Sequence, residues 1–404
     1  MNSTAYGDSM RGTPYWHLEK WIQPNTTENK FDIAIIGAGI AGLSIAYWLE
    51  KKDPQLKIVI IDKNFIGAGA SGRNGGFVTC GSAEHFDKLT TQFGLRKAHD
   101  IWKFSEVNRE LLLSEIIQND FSLCDFKQSG SCTVAPNSES WERYQGILSR
   151  MQSCGIDVEL VNEKVLLSDY GVKNFLGGIQ YQLDGYIHPM KLLKRIWGQL
   201  KNTSYYLGEE ISGITESADV ITIKLPSSTI SSAQIFYSLN GFAPRLLPEL
   251  AHIIKPQRGQ ALITEPLPHF VKGPCYLTKH LCYFRQLPSG ELLVGGFRNM
   301  DLAAENTDVE TTTDKIQNAL TEFTQSYFNN TEHVKIQYRW SGIMGFAPDS
   351  QMLVGELPQR KNSYFMAGCA SHGMGLSFNT ARVLVGSMYG EPIPEHIQAS
   401  RFQF

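Results

Sequence analysis

The stretch that most constrains this chain is "FDIAIIGAGIAGLSIAYWLEKK", Phe31 to Lys52. Phe31 to Ile36 is short, β-branched and nearly all apolar, so it reads as a buried parallel strand. Gly37, Gly39 and Gly42 follow as G-x-G-x-x-G. Ile40, Leu43 and Tyr47 then recur at helical spacing, so a helix starts at the glycines. The first glycine permits a tight turn, the second lets backbone approach a pyrophosphate, and the third lets helix and strand pack closely. The helix start, with Ile40 and Ala41 in its first turn, offers unpaired N–H groups and a partial positive charge to phosphates. A second strand, "KIVIID", ends at Asp62, 20 residues after Gly42, where a ribose-binding acid belongs; Lys63 follows it. Strand, glycines, helix, strand and acid in this order specify an α/β, Rossmann-like domain that holds a dinucleotide.

That motif does not separate NAD from FAD. The next segment, "GAGASGRNGGF" (Gly67 to Phe77), helps. Five of its eleven residues are glycine, too many for a regular element, so it is a loop. A bare loop after the second strand lets backbone N–H groups and Arg73 reach something bulky and anionic beside the first helix. The choice between the two rests on the resemblance given below, which implies FAD with Arg73 and Asn74 supplying polar contacts.

Bulk properties narrow the rest. The chain has 404 residues, 42% of them hydrophobic, ample for two domains sharing an interface. Formal net charge is −3, with no basic stripe for nucleic acid and no polybasic tail for a membrane surface. Seven scattered cysteines, an odd count with no C-x-x-C pair, argue against a disulfide framework or zinc; no metal site is expected. Reduced thiols and the lack of a signal-peptide pattern or a membrane-length apolar run point to a cytoplasmic protein without membrane insertion. The sequence leaves the oligomeric state open. Residues 1–30 read as a polar arm with aromatic islands, and Trp16 and Trp21 are expected to clamp it onto the body.

Several motifs together are familiar. "GAGASGRNGGF" resembles the "GASGRNGG" segment of the FAD-dependent amino-acid and amine oxidoreductases, the broad family of D-amino acid oxidase, glycine oxidase and sarcosine oxidase. The pattern is most similar to the γ-glutamylputrescine oxidoreductase type. "GYIHPMKLL" (Gly185 to Leu193), "IFYSLNGF" (Ile235 to Phe242), "YRWSGIMGFAPDSQMLVGE" (Tyr338 to Glu356) and "YFMAGCASHGMGLSFNTARVL" (Tyr364 to Leu384) resemble later family segments. The resemblance implies flavin contacts at Ser71, Gly72, Arg73, Asn74 and Gly75, flanked by Ala70 and Gly76. It extends them to Ile211, to Asn240 and Gly241, and to Gly342 and Gly345. "YFMAGCA" reads as a buried strand and "SHGMG" as a turn into another helix, whose positive end suits the ring edge that gains negative charge on reduction. Gly373, Met374, Gly375 and Leu376 are placed there. His372 is either a polar neighbour of the flavin or a packing histidine.

The implied architecture is a Rossmann-like FAD-binding domain with a discontinuous substrate domain of α+β type, on a mixed or antiparallel sheet. The arm occupies 1–30. The FAD-binding domain takes 31–120, 155–250 with some substrate-domain segments, and 341–404 with the C-terminal helix. The substrate domain takes 121–154 and 251–340. A helical pattern from Ala83 to Gln118 belongs with the first crossover, and "SSTISS" (Ser227 to Ser232) is a hairpin tip.

The implied activity is oxidation of the C–N bond of a primary or secondary amine by hydride transfer to flavin N5, giving an imine that hydrolyses. The partners are a small-molecule amine and O2 or another electron acceptor. Tyr283 matches a substrate-facing tyrosine, or it is a sheet tyrosine facing solvent; Arg285 should share its face. Trp340, Met344 and Phe346 form a ring-facing wall or plain core. Three departures matter. The cysteine that binds FAD covalently in sarcosine oxidase falls near Gly342, so FAD should be non-covalent. The carboxylate-binding arginine of glycine oxidase falls at Met344, so a simple α-amino acid substrate loses its usual anchor. The oxygen-activating lysine of sarcosine oxidase falls near Leu293, so a dehydrogenase is an open alternative. Two other readings stand beside this one: an FAD enzyme of other chemistry (an NAD(P)H-linked reductase or tRNA-modifying oxidase), and a flavoprotein partner or maturation factor acting on another polypeptide.

Overall fold

A strand at Lys30–Ile36, a glycine turn and a helix at Ile40–Lys52 stand where the pattern of Phe31 onward predicts them. The computed structural model describes residues 10–118, 120–217, 219–358 and 360–403. Residues 1–9 of the arm lie outside them. The first strand is sandwiched in parallel between Ile58–Asp62 and Thr229–Tyr237, and Thr203–Leu207 extends the sheet beyond Ile58–Asp62. Such a strand is covered on both faces, which is why Ile33 to Ile36 are buried without alternation. A hairpin, Gly213–Glu216 and Ile221–Lys224, lies antiparallel beyond Thr229–Tyr237, and Leu353–Glu356 and Ser363–Ala367 complete eight strands. Gly37 has φ +109°, and Gly42 has no room for a side chain: a Cβ there would collide with the Gly37 carbonyl. Helix Ile40–Lys52 packs on the C-terminal helix Gly373–Ser387, where Trp48 Nε1 donates to Phe378 O at 2.9 Å.

The second sheet has nine strands and is mostly antiparallel. Its long members are Lys255–Pro266 and Ile336–Phe346, paired antiparallel from Lys255↔Phe346 to Thr264↔Ile336. Glu291–Gly295, Cys282–Gln286 and Cys275–Leu277 follow, then Ser131–Ala135, Gly177–Tyr181 and Val158–Asn162. The strand Ile336–Phe346 stays in this sheet past position 340. A buried ion pair ties the neighbouring strand Lys255–Pro266 to its covering segments: Arg258 donates to Glu305 at 2.8 and 2.9 Å, and Gln260 donates to the same carboxylate. Thus the α/β half and the α+β half expected from sequence are both present.

Two local expectations change. The pattern Ala83 to Gln118 is not one helix. Gly94, at φ +83°, separates Ala83–Phe93 from Leu95–Leu111, because that backbone region cannot continue a right-handed helix. A wider turn at Leu112–Ile117 then ends at Gln118. The hairpin tip is confined to the residues between Lys224 and Thr229; Ser231 and Ser232 already lie in the strand.

The arm is tied down as expected. Met10–Arg11 adds a parallel strand to Ile336–Phe346, Trp16 is buried, and Trp21 packs against Trp197.

Candidate functional site

A cavity of about 750 Å³ runs between the two halves, within the roughly 300–1,000 Å³ of ordinary ligand pockets. One end lies at the carboxyl ends of the parallel strands, bordered by Gly37, Asp62 and Ser238. The other reaches the nine-stranded sheet at Tyr276, Tyr283 and Arg298.

At the first end, the start of helix Ile40–Lys52 carries amides that a helix cannot satisfy internally. Ile40 N donates to Ser71 Oγ at 2.9 Å, and Gly39 and Ala41 line the cavity. The Asp62 carboxylate accepts Ala38 N and Asn64 N, each at 2.8 Å, which leaves further lone pairs for hydroxyls. Burial raises its pKa while these bonds lower it. The glycine loop (Gly67 to Gly76) borders the middle through Ala70, Ser71, Arg73, Asn74 and Gly75. The N–H groups of Asn74 and Gly75 have no protein acceptor among the described residues. Opposite lie Asn240, Gly342, Met344, His372, Gly373, Met374 and Gly375. The turn before the C-terminal helix holds Ala370 and Ser371 in the left-handed region, at φ 47° and 66°. That conformation costs roughly 1–2 kcal/mol per non-glycine residue, and such strain clusters at functional sites.

Several residues expected at the cofactor stand one layer back. A Cβ at Gly72 or Gly76 would strike the Gly67 or Ile187 carbonyl. At Gly241 it would lie 2.7 Å from Met344 O, and at Gly345 2.7 Å from Asn240 Oδ1. These glycines, with Gly42, let the surrounding segments pack together. Lys63 points to Glu210 at 3.8 Å, Ile211 packs against the core of the first sheet, and Leu376 packs against the helices. Arg73 borders the cavity, but its guanidinium is held by protein: Nε donates to Ala68 O, Nη1 to Ser341 O, and Nη2 pairs with Glu310 at 3.3 Å.

At the far end the structure separates Tyr283 from Arg285. Tyr283 pairs with Gly295, whose missing side chain lets the ring lie across the neighbouring strand. Its hydroxyl has no protein partner among the described residues, and burial raises its pKa to about 12, so it remains a donor. Arg285 turns away from the cavity. Its guanidinium is buried between Trp16 and Tyr186, 5.4 and 4.6 Å from the ring centres, and donates to Ile187 O. The sequence reading missed three neighbours. Phe77 and Tyr276 pack edge-on with each other, and Phe77 also with Tyr283. Tyr276 lies directly opposite Tyr283 in register, so the hairpin itself was a usable signal. Arg298 stands just after the buried strand "ELLVG", a strand-end position where ligands commonly bind. It touches Gln257 Oε1 at 3.3 Å and Phe346 at 5.1 Å, with no carboxylate in ion-pair range among the described residues. His85 and His372 face one another with ring centres 5.6 Å apart. Burial lowers them to about 3 and about 4, so both are neutral at ordinary pH.

The donor set at the first end fits an extended anionic nucleotide: orphan helix amides, a free-amide glycine loop and a strand-end acid. The second end is walled by aromatic rings and carries Arg298, which has no carboxylate partner among the described residues. Together they fit the class of dinucleotide-dependent oxidoreductases. A family model described as FAD dependent oxidoreductase (DAO) matches residues 32–386, and the chain belongs to that family. Among curated relatives, it is 26% identical over 388 residues to "Probable oxidoreductase OrdL" of Haemophilus influenzae, covering 91% of this chain and 85% of that one. It is 23% identical to gamma-glutamylputrescine oxidoreductase of Escherichia coli, covering 89% and 84%. Among solved structures, glycine oxidase from Bacillus cereus superposes with a TM-score of 0.75 at 16% identity, covering 90% and 96%. L-proline dehydrogenase from P. horikoshii does so with 0.75 at 18%, covering 90% and 95%. The family resemblance and fold class read from the residues are borne out. No helix among the described residues is long and apolar enough to cross a membrane.

Proposed function

We propose that this enzyme oxidises the C–N bond of a primary or secondary amine that carries a carboxylate, such as an amino acid or an N-substituted amino acid. The observation that carries the reading is Arg298, an unpaired guanidinium beside the free Tyr283 hydroxyl at the aromatic end of the cavity. The names of relatives support it: one is gamma-glutamylputrescine oxidoreductase, another the sarcosine oxidase subunit beta of Rhizobium meliloti.

FAD, when bound, supplies the two-electron acceptor. The residues proposed to hold it are those of the helix start, Asp62, the glycine loop and the turn at His372. Non-covalent attachment is supported by the two cysteines bordering the cavity. Burial raises Cys282 well above the usual thiol range and Cys369 to about 11, so neither is a reactive thiolate. Arg298 and Tyr283 hold the substrate carboxylate, and Phe77 and Tyr276 exclude water from the reacting carbon. Because burial keeps His85 and His372 neutral, they bring no positive charge to the cavity and act as polar neighbours of the substrate amine, whose ammonium proton leaves to solvent before hydride departure. The position compared with an oxygen-activating lysine is Leu293, fully buried in the core, which supports an acceptor other than O2.

The test is anaerobic flavin reduction by a panel of amines, amino acids and N-methyl amino acids, followed by admission of air. Bleaching by carboxylate-bearing amines, with slow return of colour in air, is expected. Bleaching by NADPH alone points instead to a reductase, and failure of every amine removes the reading.

A further inference from the structure

We propose that the N-terminal arm is a working part of the cofactor site, with Trp16 as a positioning residue for the glycine loop. This rests on the reading of the cavity as the FAD site. Two indoles grip consecutive carbonyls of that loop: Trp340 Nε1 donates to Arg73 O at 2.9 Å, and Trp16 Nε1 to Asn74 O at 2.6 Å. A trans peptide points its C=O and N–H in opposite directions. Fixing Asn74 O against Trp16 therefore fixes the direction of the Gly75 N–H. Trp16 is not part of the cavity wall, whereas Gly75 is, so the amide is turned from the arm toward the cavity. Gly75 also marks where cofactor and substrate regions meet, since a Cβ there would lie 3.0 Å from the Tyr283 ring.

The grip is rigid. Trp16 is 2% exposed. Its ring meets His188 edge-on at 4.7 Å and carries the buried Arg285 guanidinium on its face. Arg285 has no carboxylate in ion-pair range among the described residues, so this π-face is one of its few compensations for leaving water. The neighbouring arm residues anchor elsewhere: Tyr15 Oη donates to Glu291 at 3.1 Å, and Glu19 faces His188 Nε2 at 3.3 Å. His17 lies directly beneath the loop, its Nε2 3.0 Å from where a Gly72 Cβ would stand. The arm thus bridges both halves of the molecule behind the loop.

The experiment titrates FAD into apoprotein of wild type, Trp16→Phe and Tyr15→Phe, recording the dissociation constant, the visible flavin spectrum and the apoprotein melting temperature. Trp16→Phe keeps an aromatic ring and loses the N–H. It should weaken FAD binding about fivefold to tenfold, the effect of one buried hydrogen bond, and shift the flavin absorption bands. Tyr15→Phe, which loosens the arm without touching the loop, should bind FAD like wild type. If Trp16→Phe does not fold, benzothienylalanine at position 16 removes only the N–H and gives the same comparison. Wild-type affinity and spectrum in the Trp16 variant, whatever its melting temperature, overturn the proposal. A wild-type protein that takes up no FAD overturns the cavity reading and this inference with it.

Discussion

Replacing Arg298 with leucine should separate substrate recognition from cofactor binding. Its guanidinium projects beside Tyr283, against Phe346, with Gln257 as its polar neighbour, and its charge has no protein counter-ion among the described residues. A carboxylate there would gain charge-assisted hydrogen bonds worth about 1.5–3 kcal/mol. At 1.4 kcal/mol per tenfold, the variant should bind a carboxylate-bearing amine roughly 10- to 100-fold more weakly. Leucine fills much of the volume and leaves no buried charge, so the fold and flavin should be retained. The assay is anaerobic stopped-flow reduction of the flavin at increasing substrate. The apparent dissociation constant should rise while the limiting rate changes far less, because an anchor that holds the carboxylate alike in ground and transition states contributes mainly uniform binding. Arg298→Lys should recover part of the affinity. An unchanged dissociation constant in Arg298→Leu, with flavin fully bound, refutes the anchor and with it the choice of a carboxylate-bearing substrate.

Other consequences follow from the same geometry. Tyr283→Phe removes one cavity-facing hydroxyl and should weaken the same substrate about fivefold to tenfold, measured by the same titration; no change would place the carboxylate elsewhere. Gly42→Ala forces a Cβ into the Gly37 carbonyl. It should lower the melting temperature and abolish FAD retention on gel filtration, and a yellow, stable variant would contradict the close packing described. Acid precipitation should release all flavin into the supernatant; colour in the pellet would mean a covalent bond. Burial raises the Asp184 carboxyl to about 7, against about 3.9 for an exposed aspartate. The native state then holds a proton the unfolded chain has released, so this group's contribution is lost as pH rises from about 4 to about 7. Asp184→Asn should flatten the chemical-denaturation midpoint across that window; a profile parallel to wild type would show that another group governs it.

The cofactor half was legible in the sequence because its signals are local. Backbone geometry alone demands glycine at positions 37 and 42, and a strand end fixes where Asp62 must stand. One residue type at one spacing carries each message. The C-terminal helix start was legible for the same reason. The substrate end was not. A linear reading singles out Arg285, because strand alternation puts it on the face of Tyr283, and passes over Arg298. Tertiary packing reversed this. The arm, more than 260 residues upstream, covers Arg285 with Trp16 and buries it, while the turn after Glu291–Gly295 delivers Arg298 to the cavity. Arg73 tells the same story on a smaller scale, since Ser341 and Glu310 take up the charge that a linear reading assigns to the cofactor. What the sequence determined by itself was the nucleotide-binding scaffold, because short-range sterics dictate it. Only the folded chain decided which cations meet solvent-excluded ligand space and which are spent inside the protein, because that depends on partners brought together from distant segments.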